Sequence, residues 1–191
     1  MASFRYQKLR ARTNHHADLL GEVARGQHYE GEIWGVYSGL FGLAGNELIV
    51  VSVGADSTPA GVSELAVADE AWQPTARPVD LQRCSKSGLY VFRRFHVREG
   101  DVEEVVALSR QAWETFETGA DYAAQPQGLF RPQADDDGIV RMMLVTWYDG
   151  FASWETSRQP APEAAQNFRR RHALTLTSYA VATRLVDTSQ R

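Results

Sequence analysis

Residues 35–56 read "GVYSGLFGLAGNELIVVSVGAD", and residues 128–150 read "GLFRPQADDDGIVRMMLVTWYDG". The first stretch has five glycines, no lysine or arginine, and an almost wholly apolar run from Leu48 to Val53. "EIWGVYSGLF" (32–41) is aromatic, branched and bounded by glycine, which suits a strand. "NELIVVSVG" (46–54) reads as a second strand. "GLAGN" between them reads as a turn, where glycine takes positive φ without steric cost. The run "LIVV" does not alternate, so both faces of that strand are expected to be covered.

Placing Gly35 on Gly128 sets an offset of 93 residues. The same offset puts Val36-Tyr37 on Leu129-Phe130, Gly45 on Gly138 and Asp56 on Asp149, with no gap. Such an ungapped register points to an internal repeat. Upstream of each hairpin lies a strand candidate, "FRYQKLRAR" (4–12) and "LYVFRRFHV" (89–97). A helix candidate follows each, "NHHADLLGEVARG" and "DVEEVVALSRQAWETFETG", with apolar residues at helical spacing and a terminal glycine. Downstream, "VSELAVADEAW" and "EAAQNFRRRHAL" read as helices. They precede strand candidates "ARPVDLQR" and "TLTSYAVATRLV".

Each half therefore reads β-α-β-β-α-β, the ferredoxin-like order. The expected fold is α+β, with two tandem ferredoxin-like units, 1–85 and 88–191, joined at "CSKSG" (84–88). In such a unit the helices cover one face of the sheet and leave the other apolar. Two units are expected to pair those faces as in a dimeric α/β-barrel, giving an intramolecular pseudo-dimer or a homodimer.

Composition narrows the function. The chain has 191 residues and a net charge of −4, divided evenly at Ser87, so neither half is a basic lobe for nucleic acid or an anionic membrane. Cys84 is the single cysteine, which removes disulfides and cysteine metal sites. The start "MASFRYQKLRAR" lacks the apolar core of a signal peptide, and no apolar run reaches membrane-spanning length. A cytoplasmic setting is the expectation.

Three stretches, "GVYSGLFGLAGNELIVVSVGAD", "YVFRRFHVREGDVEEVV" and "VTWYDGFASWETSR", resemble NIPSNAP-like proteins of the dimeric α/β-barrel group. The resemblance is strongest at the first strand–helix junction and the central hairpin of each unit. It implies a protein that binds a small, largely apolar molecule without established catalysis. Two alternatives come with the group. One is a cofactor-free monooxygenase, isomerase or cyclase acting on an aromatic or polyketide-like compound. The other is a haem-binding protein. The resemblance supplies no catalytic motif to place residue by residue.

Candidate site residues gather in the second half. His96 ends the strand "YVFRRFHV" on the face shared by Tyr90, Phe92 and Arg94. It reads either as a general base in a pocket or as a strand-end histidine with its ring edge in water. Arg94 and Arg141 lie in otherwise apolar strands, where arginine anchors an anion or closes an ion pair. Trp34, Tyr37, Trp147 and Tyr148 line the two hairpins, as stacking surfaces or as core. The assignment is His96 as the catalytic group, with Arg94, Arg141, Tyr90, Trp147 and Tyr148 as ligand-binding residues. The matching strands of the first half carry no histidine in "FRYQKLRAR" and no arginine in "NELIVVSV".

Other features carry less. Adjacent His15 and His16 diverge by about 100° on a helix and chelate poorly, so neither metal nor another cofactor is expected. "ADDDG" lacks the alternating ligands of a calcium loop and reads as a hairpin tip. "RRRH" (169–172) sits where cations complement a helix C-terminus. No GxGxxG or GxxxxGK[ST] occurs to bind nucleotide phosphates.

Overall fold

The computed structural model describes residues 3–24, 32–54, 65–119, 121–132 and 138–186. In chain order the elements are β1 (Phe4–Arg10), α1 (Ala17–Ala24), β2 (Glu32–Phe41), β3 (Glu47–Val53), β4 (Ala66–Arg77) and β5 (Leu89–Arg98). A 3-10 turn (Glu99–Asp101) leads into α2 (Val102–Phe116). Then follow β6 (Ala124–Pro132), β7 (Ile139–Tyr148), α3 (Phe151–Thr156), α4 (Pro162–Ala173) and β8 (Thr177–Leu185). The fold is α+β, and its strands hydrogen bond in the order β1-β3-β2-β8-β5-β7-β6-β4, the order of a closed barrel.

The chain divides into two compact units. The first comprises Met1–Gln73, Asp80–Ser87 and Val181–Arg191, and the second Pro74–Val79 and Gly88–Ala180. Strands β4 and β8 each begin in one unit and end in the other. Among the described residues, no helix is long and apolar enough to cross a membrane.

In the first unit β1 lies between β3 and β4, with Phe4 opposite both Val53 and Trp72. Every residue of β3 is buried, as the non-alternating "LIVV" run requires. Leu19, Leu20 and Val23 of α1 pack on Leu9, Val36, Leu48 and Val50. Charges in this unit are matched across strands. Arg5 holds Asp69 through two hydrogen bonds of 2.6 and 2.9 Å. The buried carboxylate of Glu47 accepts from Arg10 Nη2 at 2.7 Å and from the Ala44 amide at 3.2 Å, with Lys8 Nζ 3.9 Å away.

One expectation fails here. Residues 66–72, read as part of a helix, are the strand β4, and of the expected strand 76–83 only Ala76 and Arg77 are in a strand. Residues 62–64 of that expected helix lie outside the described residues. The alanine- and glutamate-rich composition favours a helix by only tenths of a kcal/mol per residue. The open edge of β1 offers a full ladder of backbone partners and a core position for Trp72, and tertiary pairing wins.

Glycine is required by close packing at two equivalent points. The β2–β3 register slips between Ile33 and Gly35, and the β6–β7 register slips between Pro126 and Gly128, again 93 residues apart. At each bulge the aromatic ring two residues further on, Tyr37 or Phe130, folds over the glycine. A Cβ on either glycine would collide with that ring. Both rings are fully buried. Glycine is required there because the ring occupies the space of its missing side chain.

In the second unit, α2 presents Val102, Val105, Val106, Trp113 and Phe116 along one side. Most of this stripe closes on Phe95 and Val97 of β5 and Val140, Met142 and Leu144 of β7. Each fully buried side chain of this size contributes roughly 1.5–3 kcal/mol. α4 ends in Arg170, Arg171 and His172, so the basic run does sit in a last helical turn.

Candidate functional site

A cavity of about 440 Å³ lies within the second unit. Its floor is the helix-facing side of the sheet: Val91, Arg93 and Phe95 from β5, and Leu144, Thr146 and Tyr148 from β7. Period-two alternation sets these side chains on one face. α2 adds Trp113 and Phe116, and α4 adds Phe168 and Arg171. The segment after α3 adds Ser157 and Arg158. Aromatic rings therefore make up much of the wall, and Phe116 meets Phe168 edge to face at 5.4 Å.

Positive charge dominates the polar part. Arg93, Arg158, Arg169 and Arg171 line the cavity, and among the described residues no aspartate or glutamate does. Arg93 donates to Ser178 Oγ at 3.4 Å, and Arg171 donates to Ser109 Oγ at 3.2 Å. The Arg171 guanidinium also stacks on Phe168, 5.1 Å from the ring centre. Arg158, more exposed, lies over Trp154 at 5.9 Å. Burial, reinforced by Arg93 and Arg158, pushes the Arg171 guanidinium down to about 10. Burial and the charge of Arg158 also lower Arg93. Burial raises the Tyr148 hydroxyl above its ordinary range, opposed by a hydrogen bond with Ser157 and by the three arginines. Tyr148 is thus a protonated phenol set beside cations, able to donate a hydrogen bond to an anion.

Of the residues singled out from sequence, Tyr148 lines this cavity. Tyr90, Arg94, His96, Arg141 and Trp147 are not part of its lining. On β5 and β7 they occupy positions that alternate with the lining residues, and so project to the other face of the strands. His96 Nδ1 lies 2.6 Å from Thr177 Oγ1, and the His96 carbonyl accepts the Leu176 amide at 2.8 Å. Its register partner across the sheet is Arg141. Tyr90 is fully buried and Arg94 nearly so. His15 and His16 stack with ring centres 4.5 Å apart. Among the described residues no group of three metal-ligating side chains forms. The "ADDDG" tip is described only at Gly138, whose φ of 70° suits a turn.

Arg93, Arg158 and Arg171 escaped the sequence reading. Arg93 stands beside Arg94, and only the choice of face separates them. Arg171 is one of three arginines in a run already accounted for by the helix terminus.

No protein-family model and no curated protein sequence matches the chain. Solved structures do. A ferredoxin-fold protein from Listeria monocytogenes, related to antibiotic biosynthesis monooxygenases, superposes with a TM-score of 0.55 at 9% identity, covering 98% of this chain and 96% of that one. An anthrone oxidase-like protein gives 0.57 at 13% identity over 97% and 92%. What the chain shares with these structures is the ferredoxin-related fold. A haem-degrading enzyme from Listeria monocytogenes shares the fold at a TM-score of 0.50 and 8% identity, covering 94% and 97%. At such identities the fold alone is what the likeness establishes, and chemistry has to be argued from the site.

Proposed function

We propose that the second unit binds a small, largely apolar aromatic molecule in its cavity, in keeping with the NIPSNAP-like resemblance. The observation that carries this reading is the 440 Å³ space walled by Phe95, Trp113, Phe116 and Phe168. Ligand sites combine apolar walls with a few polar groups in this way. Calorimetric titration with 2-naphthol tests it. Binding is expected for the native chain and lost in Ala165→Phe, because Ala165 lines the cavity from α4 and a larger side chain fills it. Binding that survives Ala165→Phe places the ligand elsewhere and contradicts the reading.

A cofactor-free oxygenase is the second reading, favoured by the fold shared with an anthrone oxidase-like protein. Oxidation of anthrone by O2 to anthraquinone and water balances without a cofactor. In this reading the lining's own groups, Tyr148 and the arginines, orient a phenolate-like carbanion for O2. Anthraquinone formation above the spontaneous rate, reduced in Tyr148→Phe, is the expected signal.

The haem alternative rests on His172, an imidazole of the lining, which would hold the iron. Haem there would supply O2 activation. A Soret band lost in His172→Ala distinguishes this alternative from both others.

A further inference from the structure

We propose that the cavity of the second unit selects planar apolar molecules carrying an oxyanion head, and that Arg93, Arg158 and Arg171 receive that head. The inference deepens the aromatic-cavity reading above and rests on it.

The starting point is a charge imbalance. The chain is acidic overall, at −4, yet among the described residues the cavity lining has four arginines and no carboxylate. Composition does not supply that excess; the fold gathers it. Elsewhere in the same unit arginines are matched. Arg77 grips Glu117 through both terminal nitrogens, at 2.5 and 2.8 Å. Arg170 donates to Glu104 at 3.0 Å. Its neighbour Arg171 lines the cavity instead, where Ser109 is its hydrogen-bond acceptor. Arg93 likewise meets a hydroxyl, that of Ser178. Neutral hydroxyls and rings fix the direction of these guanidiniums without cancelling their charge. Cations gathered this way repel one another and lose hydration, and both penalties fall when an anion enters.

The chemistry of the ligand follows. A guanidinium presents a planar fork of donors that matches a carboxylate or a similar oxyanion. The Tyr148 phenol adds a neutral donor beside that position. The rings of Trp113, Phe116 and Phe168 supply the apolar surface for the rest of the molecule.

The test uses two probes that differ only in charge, 2-naphthoate and 2-naphthamide, titrated calorimetrically into the full chain at fixed ionic strength. The carboxylate is expected to bind about tenfold tighter or more, as charge-assisted hydrogen bonds require. Arg171→Met is expected to abolish that preference, read as the ratio of the two affinities. Arg158→Gln, at an exposed position that folding tolerates, is expected to reduce it several-fold and decides the matter if Arg171→Met misfolds. Equal affinity for the two probes, or a preference untouched by both substitutions, overturns the anion assignment and leaves the aromatic cavity standing. Failure of 2-naphthoate, 2-naphthamide and 2-naphthol to bind overturns the aromatic-cavity reading and this inference together.

Discussion

The paired strands of the first unit and the cavity of the second handle charge in opposite ways. In the first, ionic side chains close on one another: Arg5 on Asp69, and Arg10 with Lys8 on Glu47. In the second, Arg93, Arg158 and Arg171 line a cavity to which no described residue contributes a carboxylate. The hairpins at the heart of the two units share a glycine bulge covered by an aromatic ring. A common backbone device thus supports ion pairs that close across strands in the first unit and, in the second, arginines that line a cavity while Arg77 and Arg170 stay paired with Glu117 and Glu104. Compensation, more than the mere presence of charge, separates a structural ion pair from a binding group.

Substitutions in the two units are expected to have separable effects. The largest effect is expected for Trp72→Ala, which empties a fully buried site in the first unit. It should cost about 3–5 kcal/mol in urea unfolding, while the fraction that remains folded binds 2-naphthoate with native affinity. A change in that affinity would mean that the first unit shapes the cavity.

Next is Glu47→Gln, expected to cost about 1–3 kcal/mol at neutral pH because Arg10 and Lys8 lose their buried acceptor charge. Burial alone would raise the Glu47 carboxyl, but Arg10, the Ala44 amide and Lys8 outweigh it and the net direction is downward. A depressed carboxyl contributes stability that is fully present above the ordinary glutamate value and is lost as pH falls through the lowered one. The native chain should therefore lose stability on that acid limb more steeply than Glu47→Gln, in unfolding curves taken across it.

Arg171→Met should behave oppositely. Removing one of three uncompensated cations while keeping a long apolar stem is expected to leave stability unchanged or raise it by about 1 kcal/mol. A loss as large as that of Glu47→Gln would erase the contrast between the units. The smallest effect concerns pH. Affinity for 2-naphthoate should stay level from neutrality upward and decline as pH rises through about 10, where Arg171 gives up its proton. A decline near neutrality would assign the charge to an imidazole.

Much of this architecture was legible in the sequence. Strand β2 occupies the residues read as a strand, and α2 follows its apolar spacing closely. These segments declare themselves because local pattern and tertiary burial agree. β4 did not, because its helix-favouring composition is overridden by a partner strand far away in sequence. Helix α3 also went unread, since six residues are too few to show a period. The site was legible only in part. "YVFRRFHV" announces arginines in an apolar strand, but period two leaves open which of the adjacent pair faces the helices. Arg158 and Arg171 meet Arg93 only through the fold, from a loop and a helix end more than sixty residues away.

A crystal structure of the chain with 2-naphthoate is the most direct measurement of the central claim. The carboxylate is expected among Arg93, Arg158 and Arg171, with the ring system against Phe168 and Trp113. A naphthoate bound in the first unit, or seated in this cavity with its carboxylate turned away from all three arginines, would contradict it.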